Sequence, residues 1–195
     1  MEYRWIIRKL NQIEMKKIIV VLFLFVGILQ VSAQKYATKT GSLKFEATVD
    51  AVEEIAAENK NTSAILESAT GDIAVLTLMK GFRFKVALME EHFNENYVES
   101  DKFPKATFKG KVEDFDASKL SATAKAFKIS GDLTLHGKTQ KVTANAKISK
   151  SGDKITVTGN FDIKAQDFDI EIPKLVSNKV SNKIKVSFNL LLAKL

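Results

Sequence analysis

The chain has 195 residues, 45% of them hydrophobic and 27% charged, with a formal net charge of +7. That balance excludes a disordered chain, a collagen-like fibre and a multi-span membrane protein. Cysteine is absent and histidines number two, which removes disulfides, thiolate metal centres, a cysteine nucleophile and a histidine-rich metal site.

The N-terminal stretch reads as a targeting segment. Lys16 and Lys17 form a positive region before an apolar run from Ile18 to Val31 that is too short for a stable transmembrane helix. Val31-Ser32-Ala33 sets small residues at a signal-peptidase site, so residues 1–33 are expected to be a signal peptide cleaved after Ala33, with export to the periplasm or beyond. Residues 1–14 fit no such signal, which points to Met15 as the true start. Cleavage removes five of the 30 basic and two of the 23 acidic residues, lowering the net charge from +7 to +4. Arg83 is then the sole arginine and the lysines are scattered, a pattern unlike a nucleic-acid binder.

After Ala33 a period of two dominates. Ser42–Ala47 and Ala64–Glu67 are short strand candidates, and Val52–Asn59 reads as polar or helical. Across 73–88 the even positions Leu76, Leu78, Phe82, Phe84, Val86 and Leu88 form one apolar register. Ala87–Tyr97 breaks the alternation: Met89, Phe93 and Tyr97 recur at helical spacing, which predicts a short amphipathic helix followed by an extended Phe103-Pro104. Alternation resumes with Ala106, Phe108, Gly110 and Val112, then Phe127, Ile129, Leu133 and Leu135. It continues with Val142, Ala144, Ala146 and Ile148, then Ile155, Val157, Gly159, Phe161 and Ile163, and ends on Ile184, Val186, Phe188, Leu190 and Leu192. Turn signals at Thr70-Gly71-Asp72, His136-Gly137-Lys138 and Ser151-Gly152-Asp153 join the runs as hairpins. The expected fold is all-β: one antiparallel barrel of about eight strands filling residues 34–195, with a short helix between strands.

Catalytic signatures are missing. No G-x-S-x-G, P-loop, G-x-G-x-x-G or H-E-x-x-H occurs. His92 and Glu95 share a helix face without a second histidine in reach, and His136 sits in a hairpin turn as a residue expected to satisfy local backbone groups. The sequence therefore supplies no catalytic residue, no metal site and no cofactor. What it does supply is an apolar inner face: Phe82, Phe84, Phe108, Phe127, Leu133, Phe161 and Phe188, with His92, Phe93 and Tyr97 on the helix over one barrel end. In a filled barrel these side chains are core. In a hollow one they line a site for a long apolar chain.

Three segments resemble the YceI-like family: His92 through Gly110, where a helix and a proline lead into an aromatic strand; Gly131-Asp132-Leu133-Thr134-Leu135-His136-Gly137-Lys138-Thr139, similar to its "G-x-L-T-[LI]-x-G" hairpin; and Asp167-Phe168-Asp169-Ile170. The resemblance runs from about residue 36 to the C-terminus. It implies a lipocalin-like barrel, an exported protein and a non-enzymatic carrier of an amphiphilic lipid. The implied partner is a long-chain isoprenoid or similar lipid in the lumen, its polar head near the mouth. The alternative is a structural or interaction module whose barrel is filled by its own side chains.

Overall fold

A computed structural model describes residues 34–49 and 54–195; the expected signal peptide lies outside the described residues. Nine strands follow in chain order: β1 (Lys35–Thr48), β2 (Ala56–Glu67), β3 (Asp72–Leu78), β4 (Arg83–Phe84), β5 (Lys105–Val112), β6 (Lys125–Leu135), β7 (Lys138–Ser151), β8 (Lys154–Lys164) and β9 (Val180–Lys194). One helix, α1 (Ala87–His92), runs on into a π-helical turn over Phe93–Tyr97. All pairings are antiparallel, in the order β1-β9-β8-β7-β6-β5-β3-β2, and β1 also pairs β2. Eight strands thus close a barrel with no free edge. The two-residue β4 is an extra strand laid on β2, Phe84 opposite Ala57.

Local chemistry sets the hairpins. His136 and Gly137 both take positive φ, 50° and 75°, between the paired residues Leu135 and Lys138. This two-residue turn follows the strand twist without splaying β6 from β7. On β5 and β6, Gly110 and Gly131 face each other beneath the ring of Phe108. A Cβ on Gly110 would come 2.5 Å from both Phe108 Cζ and the Ser130 carbonyl oxygen. The ring takes the space that a side chain there would fill, so Gly110 offers no room for a larger residue.

The alternating registers of β5 to β9 face the interior as expected. Three readings need correction. First, Ala56–Asn59 belongs to a long strand, not a polar or helical segment. Second, β1 and β2 run well beyond the short candidates, because register shifts between Thr38 and Leu43 let each strand change parity part-way. Third, the even positions of 73–88 do not share one face. In β3 the odd residues Ile73, Val75 and Thr77 point inward, opposite Gly110, Phe108 and Ala106. Leu76 and Leu78 point out, 38% and 56% exposed. A 3-10 turn at Met79–Gly81 then resets the parity, so Phe82 and Phe84 face inward on even numbers, while Val86 and Leu88 are exposed where α1 begins.

One half of the barrel is densely packed. Tyr36, Leu66, Val112, Ile148, Ile155, Val157 and Leu192 are almost wholly buried there in one cluster. The other half holds a looser group around Ala57, Met79, Phe82 and Val98, with partly buried aromatic side chains against it.

Candidate functional site

The looser half is hollow. A cavity of about 310 Å³ opens at the end covered by α1, within the size range of ligand pockets. Strands supply its deep wall: Leu43 and Phe45 from β1, Ala106 from β5, Leu133 and Leu135 from β6, Phe161 from β8 and Val186 from β9. Met89, His92, Phe93 and Tyr97 close one side of the mouth; Ile170, Ile172, Val176 and Lys179, from the segment between β8 and β9, close the other. A second cavity of about 80 Å³ lies deeper, walled by Ile73, Val75, Phe108, Ile129, Phe188 and Leu190 among others. Leu43, Thr77, Ala106, Leu133 and Phe161 border both and form a waist between them.

The helix is anchored over the mouth by one carboxylate. Glu90 accepts a hydrogen bond from Arg83 Nη1 at 2.8 Å and another from the backbone N–H of Phe84 at 3.2 Å. The stripe Met89, Phe93, Tyr97 can then face inward. Phe93 stacks on Phe45 with centroids 5.3 Å apart and meets Phe84 at 5.2 Å and Phe82 at 5.8 Å. Such pairs add ~0.5–1.5 kcal/mol each beyond their burial. At the rim, Glu54 pairs with both Lys85 and Lys44, and the Lys85 ammonium holds its carboxyl below the usual range.

His136 lies outside the cavities. Its Nδ1 is 3.0 Å from the carbonyl of Phe168 and its Nε2 is 2.9 Å from Glu99 Oε2. Its ring meets Phe103 edge-on at 4.5 Å. The partners are therefore distant in sequence, not local as expected. His136 ties the β6–β7 turn to the segment returning from the helix and to the 3-10 turn Ala165–Phe168.

Of the residues that the sequence singles out, Phe82, Phe84, Leu133, Phe161, His92, Phe93 and Tyr97 border the outer cavity. Phe108 and Phe188, with Leu133 and Phe161 again, border the inner one. Phe127 borders neither; it packs against the dense half, 6.2 Å from Phe115. Sequence reading missed Phe45, Met79 and Thr77. Phe45 was visible in the alternation of Leu43, Phe45 and Ala47. Thr77 was hidden by the apolar neighbours Leu76 and Leu78. Among the described residues no three metal-ligating side chains converge, and no helix is long and apolar enough to cross a membrane.

The family of YceI-like domains matches residues 27–192, most of the chain. The chain belongs to the YceI-like family. Its barrel is similar to a polyisoprenoid-binding domain from Saccharophagus degradans, with a TM-score of 0.70 at 17% identity over 83% of this chain and 98% of that one. It is similar to BcnA of Burkholderia cenocepacia, with a TM-score of 0.64 at 18% identity over 77% and 95%. It also resembles the YceI protein of Campylobacter jejuni, with a TM-score of 0.52 at 20% identity over 72% and 86%. These likenesses are likenesses of fold. No curated protein matches the chain.

Proposed function

We infer that this YceI-like protein is a non-enzymatic carrier of an amphiphilic lipid, with an isoprenoid chain held in the barrel. The observation that carries this reading is the outer cavity: about 310 Å³, walled almost wholly by apolar side chains and open at the helix end. Removing an apolar chain from water there gains ~25 cal/mol per Å² buried. A barrel filled by its own side chains would leave no such space. The polyisoprenoid-binding domain from Saccharophagus degradans, which shares this fold, supports a chain-like ligand. Lys16 through Ala33 support export, with cleavage after Ala33.

The test is mass spectrometry of an organic extract from detergent-free purified protein, with uptake of an added isoprenoid from vesicles as a second measurement. Stoichiometric isoprenoid in the extract, or saturable uptake, is the expected result. A clean extract together with no uptake would overturn the reading. Sequencing the N-terminus of exported protein should begin at Gln34; an intact leader on the mature protein would overturn the export assignment.

A further inference from the structure

A small polar cluster interrupts the apolar wall. Asn59, Thr62 and Thr77 are all buried, Thr77 to 3% exposure. They gather where β1 and β2 slip register, Leu43 pairing with Asn59 but Gly41 with Thr62. A slipped ladder leaves backbone groups without strand partners, and the Asn59 side chain serves one there and another at the end of β3. Its Oδ1 accepts from the backbone N–H of Asn61 at 2.8 Å, and its Nδ2 donates to the carbonyl of Leu78 at 2.9 Å. Those two bonds fix which way the amide points.

The hydrogen-bond count at Thr77 follows from that orientation. The second Nδ2 hydrogen of Asn59 goes to Thr77 Oγ1 at 2.9 Å. The Thr62 hydroxyl donates to the same oxygen at 3.2 Å. A hydroxyl has two lone pairs and one proton. Both lone pairs of Thr77 are taken, and its proton has no acceptor among the described residues. Thr77 borders both cavities at the waist. Gly81 packs so closely on the Asn59 amide that a Cβ there would sit 3.0 Å from Asn59 Cγ, which helps to hold that amide in place.

We propose that the Thr77 hydroxyl is a built-in donor for a neutral oxygen acceptor of the bound lipid, a carbonyl or ether oxygen, held at the waist below the mouth. The proposal rests on the lipid-carrier reading above. The chemistry is selective by sign. An anion is disfavoured because the waist residues Leu43, Ala106, Leu133 and Phe161 bring no cation. An alcohol can accept the proton, but its own proton then meets no free acceptor at Thr77, a buried loss. A carbonyl has no such donor. The inner cavity of about 80 Å³ takes the small group beyond that oxygen, and the chain runs outward past the phenylalanine cluster.

The test uses three probes on one carbon skeleton: a tetraprenyl methyl ketone, the matched alcohol and the matched hydrocarbon. The wild-type chain should bind the ketone most tightly. Thr77→Val should weaken ketone binding about three- to tenfold and leave hydrocarbon binding unchanged; Thr77→Ser should keep the preference. If Thr77→Val fails to fold, infrared spectroscopy of isotope-labelled ketone on the wild-type protein decides: the carbonyl stretch should lie at lower wavenumber than in hexane. Hydrocarbon binding with no preference for the ketone, a tighter alcohol, or an unshifted stretch would overturn this proposal and spare the carrier reading. Failure of all three probes to bind would overturn both.

Discussion

The two halves of this barrel share strands but not purpose. Below the waist, β5 to β9 bury Val112, Ile148, Ile155 and Leu192 completely and leave only the small inner cavity of about 80 Å³. Above it the same strands continue with residues of similar apolarity, such as Leu135, Ile163 and Val186, yet enclose space. Hydrophobicity does not distinguish the halves; what lies opposite does. In the lower half small residues such as Ala146 let larger ones interlock. In the upper half the wall is bridged by a helix and a loop rather than by another layer of strand. Packing supplies stability where it is complete, and its interruption makes a site.

The sharpest way to break the comparison is to remove volume from each half in turn. Ile148→Ala in the dense half should cost ~2–5 kcal/mol, read as a lowered denaturation midpoint. Phe84→Ala, which already borders empty space, should cost well under the ~3–5 kcal/mol of a packed phenylalanine while changing lipid uptake. Equal losses in both would mean that the upper half is packed too. Adding volume is the converse. Ala106→Trp at the waist should abolish uptake at a stability cost below the ~1–3 kcal/mol of overpacking, measured by thermal denaturation beside vesicle transfer. Gly110→Leu cannot serve here, because Phe108 already covers that glycine.

Smaller effects sharpen the boundary. His136→Ala removes two hydrogen bonds that moor the mouth segments, worth ~0.5–1.5 kcal/mol each. Amide exchange near Glu99 and Phe168 should quicken while uptake holds; loss of uptake with the fold intact would give the mooring a direct part in binding. His92→Ala, on the exposed rim, should change affinity least. The smallest effect concerns Asp116, remote from the cavities. Hydrogen bonds from Ser118, with Lys119 beside them, lower its carboxyl from 3.8 to about 2. A lowered folded-state value favours folding above about pH 3.8 and is lost as pH falls through about 2. Asp116→Asn should therefore flatten a slight acid-side slope in stability between those limits.

The barrel was legible because β5 to β9 alternate cleanly, each odd or even run meeting its like across a ladder. The helix was legible from Met89, Phe93 and Tyr97. Residues 73–78 were not, since Ile73, Val75, Leu76 and Leu78 make both faces apolar. Only pairing with β5 decides which face turns in, and it buries Thr77 in place of Leu76. A register slip is equally silent in sequence, so the polar cluster of Asn59, Thr62 and Thr77 could not be anticipated. Phe127 shows the opposite limit: its inward register was read correctly, but register does not tell height along the barrel axis.

The pairing of β1 with both β2 and β9 also sets an order of events. Until β9 is made, β1 and β8 each lack a neighbour. A chain without β9 therefore holds an open sheet with two bare edges, and the cavity, which Ile184 and Val186 help to wall, does not exist until that strand is in place.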